Sequence, residues 1–291
     1  MENLGNIFSF EYDVPGKKLS SMKTGGTVRR VCRPVSEGEF CAVVSALENA
    51  GEKYTVLGNG SNVVFSSAGY DGTVVLTTGI TALEERAHSF YAGAGVSMSA
   101  IASFAADRAL AGLEFAYGIP GTVGGGVYMN AGAYGGEMKD VLTKIYCADN
   151  QGNRLTIDAA DAELSYRHSS FMENGLYILG AEFVLPSGEK DAITAKMAKN
   201  MAARREKQPL EYPSCGSTFK RPVGHFAGAL IEQSGLKGVS VGGAQVSEKH
   251  AGFVINRGDA TGDDVIALIE LVKATVYEKT GVRLETEVQI Y

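Results

Sequence analysis

The chain has 291 residues, more than the ~100 to 200 residues of one ordinary domain, so two or three lobes with separate cores are expected. Hydrophobic residues make up 45% and charged residues 21%, which excludes a disordered chain. The net charge of −6 argues against surfaces for nucleic acid or anionic membrane, because both require a basic field.

The sequence also argues against export and membrane insertion. The N-terminus lacks a basic start followed by an apolar core, and no run of 18 apolar residues occurs. Cys32, Cys41, Cys147 and Cys215 show no CxxC pair, and the four histidines lack ligand spacing. We therefore expect a cytoplasmic protein with neither disulfides nor a metal site.

The opening lobe is predicted to be α/β. Ser36 with Glu39 three residues later has the pattern of a capping box, and apolar residues follow at helical spacing. These residues are Phe40, Val43, Val44 and Leu47. Short β-branched or aromatic runs then predict strands at 54–57, 63–65 and 73–76.

A second set of elements begins with SFYAGAG at 89–95, which predicts a strand, and continues with a helix that Ser97 caps. The segment 118–136, GIPGTVGGGVYMNAGAYGG, contains eight glycines, and this composition argues against a regular helix. YILGAEFVL at 177–185 predicts another strand.

The last part of the chain is predicted to form a separate lobe. The pattern turns helical and basic from Asp191 to about Lys207, and PSGEK just before it places a boundary near residue 187. Thr261 with Asp264 opens a final helix that Gly281 closes. Residues 282–290 alternate apolar and polar side chains, which predicts a final strand.

GNGSN at 58–62 combines small residues, backbone donors and short polar side chains, which suits the binding of a pyrophosphate. A turn between two strands would have the same composition, because Asn and Gly dominate turns. The spacing differs from GxGxxG and a strand follows instead of a helix, so a Rossmann-type fingerprint is excluded.

The glycine-rich segment 118–136 is the stronger indication of a ligand. A turn needs one or two glycines, whereas a stretch of this length indicates backbone packed against a planar ring system such as isoalloxazine. A series of tight turns between strands is the alternative interpretation.

Three polar residues are candidates for chemistry, although each is unremarkable when considered singly. Arg167 in SYRHSSF could hold a carboxylate with both arms of its guanidinium, although an exposed loop arginine is the commoner case. Ser217 follows a glycine in PSCGSTFKRP, but no adjacent histidine marks it as a nucleophile. Glu287 lies on the polar face of the final strand, where a solvated glutamate is the ordinary expectation.

Taken in order, several motifs resemble the UDP-N-acetylenolpyruvoylglucosamine reductase family. They are TGG at 24–26, GNGSNVVF, GIPGTVGGGVYMNAGAYGGE, SYRHSSF, QPLEYPSCGSTFKRP, GLKGVSVGGAQVSEKHAGFVIN and GVRLETEV. The resemblance runs from about residue 20 to the end and implies an α+β fold. A PCMH-type FAD-binding portion would span 1–187, with α/β subdomains at about 1–78 and 79–187, and an α/β substrate-binding lobe would span 188–291.

In this family NADPH reduces FAD, and the flavin then reduces the enolpyruvyl ether of UDP-N-acetylglucosamine to UDP-N-acetylmuramate for peptidoglycan. The resemblance implies that Ser217 donates the proton, while Arg167 and Glu287 flank the substrate carboxylate and stabilise an enolate-like intermediate. It implies small-molecule partners, with no obligate protein partner.

The resemblance also implies binding residues. For FAD they are Gly58, Asn59, Gly60, Ser61 and Asn62 at the pyrophosphate, Gly121, Thr122, Gly124 and Gly125 beside the ring, and Arg204 at a phosphate or the ring. For the UDP-sugar they are Lys220, Lys237 and Asn256. Arg205 adjoins Arg204, and the sequence does not separate the two.

Arg167 and Ser217 are 50 positions apart, which resembles the form of the family that lacks an extra loop carrying a tyrosine over the substrate. Two alternatives stay open: another PCMH-type flavin oxidoreductase acting on a different sugar or alcohol, and a catalytically silent nucleotide-sugar binding protein. GSTFKRP together with LETEV argues against the first, and the presence of Arg167, Ser217 and Glu287 argues against the second.

Overall fold

The computed structural model describes residues 4–291 of the chain, which form two compact units. Unit 1 comprises the chain up to Glu11, Arg30–Asn59 and Gly72–Arg204, and unit 2 comprises Tyr12–Arg29, Gly60–Asp71 and Arg205–Tyr291. Both units are discontinuous in sequence, so the linear boundary at residue 187 stays a prediction. The mixture of helices and sheets confirms the α+β class.

Within residues 4–291 the α-helices are α1 (Glu37–Asn49), α2 (Met98–Asp107), α3 (Val123–Tyr128), α4 (Lys190–Lys207), α5 (Ala227–Gln233) and α6 (Gly262–Thr280). The strands are β1 (Phe10–Pro15), β2 (Thr27–Cys32), β3 (Tyr54–Leu57), β4 (Val63–Val64), β5 (Tyr70–Leu76), β6 (Leu83–Glu85), β7 (Phe90–Gly93), β8 (Gly132–Ala133), β9 (Gly136–Glu137), β10 (Leu142–Ala148), β11 (Arg154–Asp158), β12 (Tyr177–Phe183), β13 (Ser240–Val241), β14 (Ala244–Val246), β15 (Val254–Asn256) and β16 (Gln289–Ile290).

The first helix of unit 1 begins as the sequence predicts. The Ser36 hydroxyl accepts the Glu39 N–H at 3.2 Å, so Ser36 is the N-cap. The reciprocal bond of a capping box is not formed, because the Glu39 carboxylate accepts the N–H of Val35 at 2.8 Å, one residue before the cap. The predicted apolar face of α1 is buried and packs with Cys32 of β2 and Val75 of β5. Strands β3 and β5 pair in parallel.

The main sheet of unit 1 is antiparallel, in the order β11-β10-β12-β7-β6. Ser97 caps α2 through the Ala100 N–H, as predicted, and α2 packs against one face of the sheet. Side chains from β7, β10 and β12 on that face join the same apolar core. This core supports the glycine-rich segment.

The expectation that residues 118–136 contain no regular helix is wrong. Helix α3 lies inside the segment, and two of its glycines have a packing role that the sequence does not show. A Cβ at Gly124 would lie 2.9 Å from the Ala94 Cβ, and one at Gly126 would lie 2.7 Å from the Met98 Sδ. Close packing offsets the poor helix propensity of glycine at these two positions.

Unit 2 has its own apolar core between α5, α6 and the antiparallel sheet β13-β14-β15. Met22 and Val64 belong to this core and are fully buried, although they are distant in sequence from the rest of it. The Thr261–Asp264 capping box and the Gly281 C-cap of α6 are both confirmed.

The prediction of one continuous strand over 282–290 is wrong. Regular pairing is restricted to β16, which lies parallel to β4, and Ile290 is exposed. Earlier in the segment, Lys220 N–H donates to the Glu285 carbonyl at 2.9 Å. The extended chain therefore changes its pairing partner part of the way along, and this limits the length of each ladder.

Candidate functional site

In unit 1, the contact between Gly58 and Thr122 indicates where a ligand could bind. Gly58 follows β3, and a Cβ there would collide with the Thr122 hydroxyl. Thr122 is 4% exposed, and its Oγ1 has no hydrogen-bond partner within the part of the chain that the structure describes. A buried hydroxyl without a partner is costly, so a ligand that bonds to it would remove the cost.

The four residues predicted to lie beside a flavin ring occur together at the start of α3. The Met98 N–H donates to the Gly121 carbonyl at 3.0 Å, and the Gly124 N–H donates to the Ala94 carbonyl at 2.9 Å. Gly124 is therefore explained by packing. At Gly125 the nearest atom to a Cβ is the Thr122 Oγ1 at 3.8 Å, so the surface beside Gly125 is open.

Arg204 and Arg205, which the sequence does not separate, have different surroundings. Arg204 is buried near the end of α4, and its guanidinium lies 5.7 Å from the centre of the Tyr134 ring. Burial lowers the pKa of Arg204 from its ordinary value. A Cβ at Gly118 would lie 3.5 Å from the Arg204 Nε, so Arg204 contacts the glycine-rich segment, while Arg205 is exposed.

Arg167 is carried by a tight turn. Ser165 and His168 exchange backbone hydrogen bonds of 3.1 and 3.2 Å across it, and Arg167 has a φ of 54°. The buried Asn130 donates from Nδ2 to the Ser165 carbonyl at 2.9 Å. The Ser169 hydroxyl donates to the Tyr128 carbonyl at 2.7 Å. The turn is therefore anchored to the glycine-rich segment on both sides of Arg167.

In unit 2 the candidates Ser217 and Glu287 are joined through Thr218. The Thr218 carbonyl accepts the Glu287 N–H at 2.8 Å, and its Oγ1 accepts the Val254 N–H at 3.1 Å. Ser217 is exposed, directly after Gly216 with a φ of 74°. The hydroxyl and the carboxyl thus lie on neighbouring chain segments.

The loop at 60–62 is fixed by its own contacts. Gly60 has a φ of 62°, and a Cβ there would collide with the Leu19 carbonyl. Asn62 donates from Nδ2 to the Glu287 carbonyl at 3.0 Å. Asn59 is exposed and Ser61 is half-buried. The pyrophosphate role of Gly58 to Asn62 stays a prediction.

The three candidates for the UDP-sugar differ in availability. Lys220 pairs with Glu285 at 3.4 Å and Lys237 with Glu232 at 2.7 Å, and these partly exposed pairs are weak enough to exchange partners. Asn256 is buried, and its amide bonds to the Met22 carbonyl and to the N–H groups of Gly258 and Ala260. The structure therefore gives Asn256 a role in holding its own turn.

Cys215, two residues before Ser217, is not activated. Burial raises the pKa of its thiol, and Sγ donates to the Val63 carbonyl at 3.1 Å. All four cysteines are free and buried. Across residues 4–291 there is no cluster of three or more His, Cys, Asp or Glu residues that could hold a metal ion.

Two polar residues, Asn130 and Thr218, were missed by the sequence analysis. Asn130 has a φ of 40°, a conformation that asparagine tolerates, and an asparagine inside a glycine-rich run is a weak local signal for it. Thr218 gives no signal, because its partners are distant in sequence.

No helix in the described part of the chain combines the length and apolarity needed to span a bilayer.

Comparisons with known proteins identify the family to which the chain is similar. Residues 28–158 match the FAD binding domain family, and residues 208–291 match the C-terminal domain of UDP-N-acetylenolpyruvoylglucosamine reductase. The reductase of Latilactobacillus sakei is 46% identical over 95% of this chain and 91% of its own, and that of Clostridium novyi is 46% identical over 94% and 89%. The crystal structure of the Thermus caldophilus reductase has a TM-score of 0.83 and 30% identity, covering 98% of this chain and 99% of that one.

The fold and the matched FAD-binding domain define a flavin-dependent oxidoreductase. More narrowly, the chain belongs to the UDP-N-acetylenolpyruvoylglucosamine reductase family of peptidoglycan precursor synthesis. The cofactors are therefore FAD and, as reductant, NADPH.

Proposed function

We propose that this protein reduces the enolpyruvyl ether of UDP-N-acetylglucosamine to the lactyl ether of UDP-N-acetylmuramate in the cytoplasm. The observation that carries the proposal is the bond between the Thr218 carbonyl and the Glu287 N–H, which brings a hydroxyl and a carboxyl onto adjacent segments. Reduction of a carbon–carbon double bond requires a hydride and a proton. The Ser217 hydroxyl, with the Glu287 carboxyl on the adjacent segment, is suited to deliver the proton.

The residues of the chain fit FAD. The Thr122 hydroxyl, buried beside Gly58 and Gly125, would hold a polar edge of the cofactor, and the loop at 58–62 would contact its pyrophosphate. Gly121, Gly124 and Gly125 would lie beside the ring, with Arg204 at a phosphate or the ring. When bound, FAD accepts a hydride from NADPH and supplies it to the methylene carbon of the substrate.

Arg167 is the proposed partner of the substrate carboxylate, since a guanidinium binds a carboxylate through two parallel hydrogen bonds. Negative charge develops next to that carboxylate as the hydride arrives, so a fixed cation stabilises it. The anchored turn keeps Arg167 in place, which lowers the cost of ordering its side chain.

Ser217 is the proposed donor of the proton to the carbon next to the carboxylate, and Glu287 is proposed to help stabilise the enolate-like charge before that transfer. A neutral carboxyl group can donate a hydrogen bond to developing negative charge. Lys220 and Lys237 are proposed for the diphosphate of the substrate, because their ion pairs lie in solvent and can exchange.

The test replaces Ser217 by Ala and measures the two half-reactions separately by stopped-flow absorbance of the flavin. Reduction by NADPH needs no proton from Ser217 and is expected to be unchanged. Reoxidation by the enolpyruvyl substrate is expected to slow by ~10²- to 10⁴-fold, the usual contribution of general acid catalysis. Ser217→Cys should recover part of the rate.

A matched control is Ser240→Ala, at an exposed serine of β13 in the same unit, which should leave both steps unchanged. Equal slowing of both steps in Ser217→Ala would contradict a proton-donor role. If NADPH reduces the flavin but the enolpyruvyl sugar nucleotide does not reoxidise it, the result would instead favour another flavin oxidoreductase with a different substrate.

A further inference from the structure

Asn62 makes two contacts with the last segment of the chain. Its Nδ2 donates to the Glu287 carbonyl at 3.0 Å, and its own carbonyl accepts the Gln289 N–H at 3.0 Å. Asn62 and Glu287 are 225 positions apart in sequence, and both belong to unit 2. The loop at 60–62 is thus bonded directly to the backbone of a candidate catalytic residue.

The Asn62 side chain is needed because the Glu287 carbonyl lies outside the regular pairing of the strands. The β4–β16 ladder pairs Val63 with Gln289 and Val64 with Ile290. The Glu287 carbonyl lies just before that ladder, at the point where the segment changes partner. The Asn62 amide satisfies this carbonyl, and the Thr218 carbonyl accepts the N–H of the same residue at 2.8 Å.

Glu287 is therefore held through both of its backbone polar groups, the N–H by Thr218 and the carbonyl by Asn62. The φ and ψ of a residue set the direction of its Cα–Cβ bond and limit its allowed rotamers, so fixing both groups narrows the positions open to the Glu287 carboxyl. Thr218 supplies one of these contacts through its backbone, and Asn62 supplies the other through its side chain.

We propose that Asn62 is a positioning residue for the Glu287 carboxyl group, and that it links the loop predicted to bind the cofactor pyrophosphate to the proton-delivery pair. This inference rests on the proposed function, which makes Glu287 part of the reaction. A role for Asn62 limited to the pyrophosphate is the competing explanation, and the two differ in the step that each affects.

The experiment is Asn62→Ala in the full-length protein loaded with excess FAD. Removing one hydrogen bond of ordinary strength corresponds to roughly a 2- to 10-fold effect, so reoxidation by the enolpyruvyl substrate should slow by that factor. At saturating FAD, the rate of reduction by NADPH should change by less than about 2-fold, below the effect of one hydrogen bond, because that step does not use the Glu287 carboxyl. The FAD dissociation constant is measured separately, because the loop at 58–62 is itself proposed to contact the pyrophosphate. Asn49→Ala, at an exposed asparagine of α1, is the matched control and should change none of these quantities.

A double-mutant cycle with Glu287→Gln distinguishes positioning from a separate effect. If Asn62 acts through Glu287, then Asn62→Ala should add little further slowing in the Glu287→Gln background. Multiplicative slowing would overturn the proposal. So would a loss confined to FAD binding, which is the result that the pyrophosphate explanation predicts.

Hydrogen exchange of the protein without cofactor gives a readout that does not depend on activity. Loss of the Asn62 contact should increase exchange at the amides of Glu287 and Gln289, and unchanged protection of both would overturn the proposal.

If Glu287→Gln itself leaves reoxidation unchanged, the assignment of Glu287 in the proposed function fails, and the exchange result alone decides whether Asn62 orders the segment. If Asn62→Ala does not fold, Asn62→Ser is measured in the same way, since serine is also common in turns.

Discussion

The Thr122 hydroxyl offers the sharpest test of the cofactor site at the level of one residue. Thr122→Val keeps the shape of the side chain and removes a buried hydroxyl that has no partner among the described residues. The protein without cofactor should therefore keep its stability or gain up to about 1–3 kcal/mol, the desolvation cost of such a group. Its affinity for FAD should fall, because the hydroxyl is the proposed contact.

Thr73→Val is the matched control for that experiment. The Thr73 hydroxyl in β5 is also buried without a partner in the described chain, and Thr73 carries no proposed ligand contact. Urea unfolding without cofactor and fluorescence titration with FAD measure the two quantities. Equal FAD affinities in the Thr122 and Thr73 variants would remove Thr122 from the site.

At the level of elements, α3 contains one glycine that is required by close packing and another that lies beside open surface, and substitution distinguishes the two. Gly124→Ala should destabilise the protein by about 1–3 kcal/mol, because the new methyl group would lie 2.9 Å from the Ala94 Cβ, which cannot move aside. Gly125→Ala should instead stabilise the helix by about 0.5–1 kcal/mol, because its nearest atom is 3.8 Å away.

The Gly125 variant should nevertheless bind FAD more weakly, since its methyl group would occupy the open surface where the ring is proposed to lie. Unfolding free energies and FAD titrations of the two variants measure this contrast. A Gly125 variant that is more stable and binds FAD with unchanged affinity would place the flavin away from α3.

The elements that the sequence predicts correctly have local causes. Ser36, Ser97 and Thr261 cap the helices that follow them, and each cap is a contact within four residues. Helix α3 could not be predicted in this way, because the reason for Gly124 and Gly126 is contact with Ala94 and Met98.

The candidate site likewise combines local motifs that the sequence shows with tertiary contacts that it does not show. The motifs around Arg167 and Ser217 are visible in the sequence, whereas the contacts that hold them depend on the tertiary fold. Asn62 is bonded to a residue 225 positions away, and Asn130 to one 35 positions away. A pattern within one motif carries no information about such a partner.

At the level of the whole molecule, the discontinuous units make a prediction about fragments. A fragment of residues 205–291 lacks Met22 and Val64 of its core and lacks β4, the partner of β16. We expect this fragment to show little cooperative unfolding and poor amide dispersion in NMR spectra, although it contains the whole matched C-terminal family domain.

A chain that joins 12–29, 60–71 and 205–291 through long Gly/Ser linkers is the control, because it restores the missing core residues and β4. It should unfold cooperatively in urea. Cooperative unfolding of the 205–291 fragment by itself would show that the first two segments are dispensable for the core of unit 2.

The interleaving of the two units also bears on synthesis at the ribosome. Residues 12–29 leave the ribosome early, yet the segment of unit 2 that completes their core begins at Arg205. At ~5 to 20 residues per second, they wait on the order of 10 to 30 s for it. Apolar residues such as Met22 stay uncovered during that interval, so nascent chains of this protein are expected to need protection from aggregation that finished molecules do not.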